Sequence, residues 1–101
     1  MYMRIIWGRI IHGQWDDFEA AFKKAIALRG DPKGLKGQWV VHDCNDSDAG
    51  YSITLWENET DMRAFWDSGK REDAMDLLRP FYINQYTATE CEVRISRGGR
   101  N

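Results

Sequence analysis

The apolar positions first fall with a period of two. From Tyr2 to His12 β-branched and aromatic residues dominate, and Gly13 closes the run, which predicts a strand. Met3, Ile5, Trp7 and Ile11 share one face of that strand, and Tyr2, Ile6, Gly8 and Ile10 share the other. Both faces are mostly apolar, as in a strand covered on both sides. The helices of so short a chain can cover only one face, so the second face requires a partner copy.

The period then lengthens. Between Trp15 and about Arg29, Phe18, Phe22, Ala25 and Ile26 form one helical stripe, with Glu19, Lys23 and Lys24 off it. Asp16 and Asp17 suit the positive end of the helix dipole, and Gly30 and Pro32 stop the helix before the loop Asp31-Pro32-Lys33-Gly34. Gly37 to Cys44 reads as a second strand, with Trp39 and Val41 opposite Val40 and His42. A polar turn, Asn45 to Gly50, joins it to a third strand, Tyr51 to Glu57, as a hairpin. Asp43, Asp46 and Asp48 lack the Gly and distal Glu spacing of a calcium loop.

Asn58 can cap a helix with Asp61 as its third residue, and Met62, Phe65 and Trp66 are its inward stripe. Ser68-Gly69 breaks this helix, and a second piece, Lys70 to Arg79, buries Ala74, Met75 and Leu78 before Pro80. Phe81 to Ile95 contains the last strand, alternating through Cys91, Val93 and Ile95. Residues 1–96 are expected to form one domain, with 97–101 a flexible, Gly-rich tail. The predicted order is β-α-β-β-α-β, an α+β, ferredoxin-like arrangement with an antiparallel sheet.

Composition narrows the function classes. A chain of 101 residues has room for one core. Net charge is −2, which does not suit a nucleic-acid binder driven by bulk charge. No apolar run approaches the ~18 residues of a membrane span, so no membrane partner is expected. Cys44 and Cys91 match no metal spacing and read as small strand hydrophobes. Arg4 and Arg9 interrupt the start too early for an export signal, and a cytoplasmic location with reduced thiols is the expectation. The unusual feature is 5 Trp beside 4 Tyr and 4 Phe, a density that must fill a core, an interface or a ligand pocket.

Three segments carry a likeness. Gly34-Leu35-Lys36-Gly37 precedes the second strand. Tyr51-Ser52-Ile53-Thr54-Leu55-Trp56-Glu57 runs from the third strand toward the next helix. Arg63-Ala64-Phe65-Trp66-Asp67-Ser68 lies within that helix. In these segments and in its order of elements, the chain resembles the dimeric α/β-barrel family of antibiotic-biosynthesis monooxygenase type from about Met3 to Ile95. The resemblance implies a homodimer in which two sheets pack face to face, and a pocket in each subunit between sheet and helices. Some members oxygenate aromatic polyketides or quinols without metal or flavin, so the expected cofactor is none. Others degrade haem, using a His after the third strand and an Asn on the first. Neither residue is present there, since the region of Ala74 and Met75 has no His and the first strand no Asn.

Oxygenation without a cofactor needs an electron-rich phenol or quinol, an apolar pocket, a base and a group that stabilises the anion. Candidate pocket walls are Trp7, Trp56, Phe65, Trp66, Tyr82 and Tyr86, with Met75 beside them. Candidate bases are His12 and His42, the only histidines. Arg79, Arg4 or Arg9 could hold an oxyanion. Each has a plainer alternative: core packing for the aromatics, structural hydrogen bonding for the histidines, ion pairing for the arginines. The alternative to a monooxygenase is a non-catalytic dimer that binds a small ligand or a partner, with haem-degrading activity a distant third. A catalytic pocket should set His or Arg against a cavity lined by the Trp set, a binding module should show a cavity without a titratable group, and a structural dimer none.

Overall fold

The computed structural model describes residues 1–84 and 86–98. The elements are β1 (Tyr2–Arg9), α1 (Trp15–Arg29), β2 (Leu35–His42), β3 (Ala49–Trp56), α2 (Glu59–Trp66), α3 (Gly69–Asp76), a 3-10 turn (Arg79–Phe81) and β4 (Thr87–Glu92). The strands form one antiparallel sheet in the order β2-β3-β1-β4, the ferredoxin-like arrangement. No helix among the described residues is long and apolar enough to cross a membrane.

Helix ends follow local chemistry. Asn58 accepts a hydrogen bond from the Asp61 backbone N–H at 2.8 Å, capping α2. Ser68 caps α3 through the Arg71 N–H at 3.2 Å. At the end of α1, Gly30 takes φ 71°, a left-handed conformation that an L side chain resists.

Two strands are shorter than the pattern predicts. β1 stops at Arg9 because its ladder with β3 ends there; Ile10 makes an isolated bridge to Tyr82, and Ile11 and His12 enter a turn. β4 stops at Glu92, opposite Tyr2, because β1 has almost no residues left to pair with; Val93 only donates to the Met1 carbonyl, and Ile95 is exposed. Within the tail, Arg97 and Gly98 lie outside helix and strand, and 99–101 lie outside the described residues.

Register assigns the two faces. Arg4, Ile6 and Gly8 of β1 align with Thr54, Ser52 and Gly50 of β3 and face the helices. Gly8 is required there, since a Cβ would overlap the Tyr82 ring. Between sheet and helices lies a core of Ile10, Trp15, Phe18, Phe22, Ala25, Ala74, Met75 and Leu78. Phe18 is its hub, with ring centroids 5.3 Å from Trp15, 5.7 Å from Phe22 and 5.7 Å from Tyr82.

The other face carries Met3, Ile5 and Trp7 of β1, Trp39 and Val41 of β2, and Tyr51, Ile53 and Leu55 of β3. No helix among the described residues covers it. Trp39 is 48% exposed, and Val41 and Tyr51 are exposed beside it.

Candidate functional site

A cavity of about 80 Å³, partly open to solvent, lies where the end of α1, the α2–α3 junction and the sheet meet. Its apolar wall includes Ile6, Phe22, Ile26, Phe65, Met75 and Leu78, and its polar wall includes Gln38, Ser52 and Thr54. Three arginines from three elements also line it: Arg4 of β1, Arg29 of α1 and Arg71 of α3. No Asp, Glu or His among the described residues lines it.

Alternation on β1 directs Arg4 inward, and it is only 3% exposed. It donates to the Met62 carbonyl at 3.2 Å and to Glu90 of β4 at 2.6 Å. The hydrogen bond from Arg4 holds the Glu90 carboxyl below its ordinary range, against the opposing effect of burial. Glu90 also receives Arg63 at 3.2 Å, and Arg63 returns to Glu59 at 2.7 Å. The guanidinium of Arg71 stands over Trp66, 4.1 Å from the ring centroid, and that of Arg4 lies 4.3 Å from it. The Nε atoms of Arg4 and Arg71 are buried without a hydrogen-bond partner.

Arg29, in the last turn of α1, is 7% exposed. It donates to the Gln38 side-chain oxygen and lies 5.4 Å from the Phe65 ring centroid. None of the ion pairs among the described residues involves it. Burial pulls its pKa down, and Asp31 offsets part of that.

The cavity brings together three residues read from the sequence as pocket walls: Phe65, Trp66 and Met75. The adjacent Phe65 and Trp66 both reach it. Trp56 stands behind Phe65, with centroids 5.4 Å apart, fully buried, its Nε1–H donating to the Thr54 hydroxyl at 2.8 Å. Tyr82 lines a much smaller neighbouring void with Ile6, Gly8 and Phe22, and Tyr86 lies 5.5 Å from it. Burial pushes the Tyr82 phenol up to about 12, so it stays protonated and cannot act as a base at neutral pH. Trp7 lies on the opposite face of the sheet, between Tyr51 and Thr87.

The titratable candidates are elsewhere. His12 is 89% exposed and pairs with Asp48 at 2.7 Å. His42 stacks on Trp15 with centroids 4.0 Å apart, and its Nε2 lies 2.8 Å from the Ser47 carbonyl oxygen. Both rings are at the β2–β3 turn end of the sheet, away from the arginines. Arg79 is on the surface, but its partner Glu72 also receives Arg71, at 2.9 and 2.7 Å, so Arg79 is joined to the cavity at one remove. Arg9 pairs with Asp46 outside the cavity.

Sequence reasoning missed Arg29 and Arg71 as cavity residues. The signal for Arg29 was its place one turn beyond Ala25 and Ile26 on the buried stripe of α1. The spacing of Arg71 within α3 carried no such sign.

No family model matches the sequence, and neither does any curated protein. Solved structures do match. SnoaB, a cofactor-independent oxygenase from Streptomyces nogalater, superposes with a TM-score of 0.77 at 14% identity, covering 94% of this chain and 95% of that one. A provisionally named antibiotic biosynthesis monooxygenase from Nitrosomonas europaea gives 0.81 at 10% identity over 96% and 93% of the chains. One from Deinococcus radiodurans gives 0.79 at 14% identity over the full length of both. At these identities the likeness establishes one thing: this chain has the fold that the antibiotic biosynthesis monooxygenase-named proteins share.

Proposed function

We propose that this protein is a cofactor-independent monooxygenase acting on a small phenol or quinol-like compound, working as a homodimer. The observation that carries the reading is the arginine-lined aromatic cavity between sheet and helices. A phenol bound there faces three guanidinium groups, of which Arg4 and Arg71 are also paired with Glu90 and Glu72. One guanidinium at ~4 Å contributes about 4 kcal/mol at an effective dielectric near 20. That attraction lowers the pKa of a bound phenol from its ordinary value near 10, opposed by burial and by the carboxylates already paired with Arg4 and Arg71. The phenol can then lose its proton to water, without a side-chain base.

The phenolate is the reductant. It passes one electron to O2, and the resulting radicals combine at the ring carbon para to the oxygen. Loss of that carbon's hydrogen as a proton and cleavage of the O–O bond release hydroxide, which leaves as water. The sum is phenol + O2 → quinone + H2O, with one oxygen atom in each product. The arginines stabilise the phenolate and the peroxide oxygen. The apolar wall of Phe22, Phe65 and Leu78 keeps bulk water from the radical pair.

The bare apolar face of the sheet supports the dimer. A soluble monomer rarely leaves a patch of that kind open. A second copy laid on the same face would bury Trp39, Val41 and Tyr51.

The absence of His, Asp and Glu from the cavity wall favours a second reading, a non-catalytic dimer that binds the same ligand class. Oxygen uptake separates the two. With para-unsubstituted phenols and naphthols, the parent protein should consume one O2 per quinone formed, and Arg71→Gln should consume much less. Ligand-induced stabilisation without oxygen uptake across the panel would establish the binding reading instead.

A further inference from the structure

Arg29 is the exception to charge pairing in this cavity. Arg4 has Glu90 and Arg71 has Glu72, whereas Arg29, 7% exposed, makes no ion pair among the described residues: its side-chain partner is the neutral Gln38, and Asp31 acts on it from beyond ion-pair distance. Buried charges are ordinarily paired, because a buried ion without a counter-ion is costly. Arg29 also borders two spaces. It lines the cavity, which has no carboxylate among its lining residues, and with Phe65 it lines an adjoining surface groove of mixed charge that reaches Lys33, Lys70, Asp31 and Asp61. A planar guanidinium at such a boundary fits a carboxylate, which it can bind through two parallel hydrogen bonds. Gln38 has an amide nitrogen left to donate, since its oxygen accepts from Arg29.

We infer that the ligand of this cavity is a small aromatic carboxylate, its acid group bound by Arg29 beside Gln38 and its ring directed toward Phe65 and the arginines around Trp66. The inference rests on the oxygenation reading for where the substrate sits, and it adds the group by which the substrate is recognised. The carboxylate supplies the direct ion pair that Arg29 lacks among the described residues. The cavity's volume of about 80 Å³ favours a single ring. A phenolic oxygen meta to the acid would meet Arg4 and Arg71 and leave its own para carbon with the hydrogen that oxygenation removes.

The test is a matched pair differing in one charge: 3-hydroxybenzoate and 3-hydroxybenzamide, titrated calorimetrically at low salt. The parent protein should bind the acid at least tenfold more tightly than the amide. Arg29→Gln should reduce that preference to about threefold or less. Lys23→Gln, which alters net charge equally on the exposed face of α1, should keep it. If Arg29→Gln does not fold, the salt dependence of the parent decides: raising NaCl should weaken acid binding and spare amide binding. Equal affinity for the two, survival of the preference in Arg29→Gln, or no binding of either overturns the inference. Turnover of neutral phenols without acid preference would remove the carboxylate site and keep the oxygenase. Tight acid binding with no oxygen uptake from any phenol would do the reverse.

Discussion

The guanidinium of Arg4 on β1 lies 4.3 Å from the ring centroid of Trp66 on α2. This contact ties the sheet to the helical wall of the cavity, with Arg71 of α3 on the same ring. Cation–π contacts of this kind contribute about 0.5–2 kcal/mol each, more when desolvated. Trp66→Ala should therefore lower stability by about 2 kcal/mol, or on the order of 10 °C in melting temperature for a chain this small. It should also abolish ligand-induced stabilisation. Trp56→Ala, at a fully buried position, should cost about 3–5 kcal/mol. Thermal melts of the two variants with and without a phenol check both the ranking and the loss of ligand response.

Glu90→Gln should leave Arg4 buried and short of its counter-ion. Because Glu90 is a third exposed, the cost is expected at about 1–3 kcal/mol, below that of a fully buried pair. The Glu90 carboxyl is held below its ordinary value of 4.5, so its contribution is present above that pH and is lost as pH falls through the lowered value. Denaturant titrations should show a constant gap between parent and variant from pH 5.5 to 7, narrowing below about pH 4.5.

The pair of His12 and Asp48 has two limits. Asp48 raises the His12 pKa above 6.5, chiefly through their hydrogen bond, so stabilisation by the charged imidazole is full below 6.5 and is lost as pH rises through the raised value. His12 lowers the Asp48 pKa below 3.8, so the carboxylate's part is present above 3.8 and is lost in stronger acid. His12→Ala should therefore lower the melting temperature most near pH 5 and hardly at all above pH 9. Because the pair is remote from the cavity, oxygen uptake at pH 7 should be unchanged.

The uncovered sheet face predicts a dimer. Sedimentation should give about twice 11.8 kDa at micromolar concentration. Trp39→Glu sets a charge beside Ile53 in the centre of that face and should give a folded monomer. A parent protein that sediments as a monomer would remove the face-to-face barrel.

Much of the fold was legible because its signals are local. Period-two runs give the strands, the Phe18–Phe22–Ala25 stripe gives α1, and Asn58, Ser68 and Gly30 mark helix ends. Strand ends were less legible, since β1 and β4 stop where the partner strand runs out, a property of the ladder and not of Ile11 or Ile95. The aromatic half of the cavity followed from helix spacing, which sends Phe65 and Trp66 inward. Trp7 shows the limit: with both faces of β1 apolar, alternation separates Trp7 from Ile6 but does not say which face the helices cover. The charged half was hidden, because a buried Arg29 looks like an ordinary basic residue at a helix end, and histidine is the usual side-chain base wherever it occurs, which does not say where His12 and His42 lie.

Turnover under 18O2 tests the central claim most directly. With a para-unsubstituted phenol and metal-free, flavin-free protein, the account predicts a quinone carrying one labelled oxygen atom, the second label appearing in water, and little product from Arg71→Gln. Quinone formed without label, or no oxygen consumed by any phenol that binds, would contradict it.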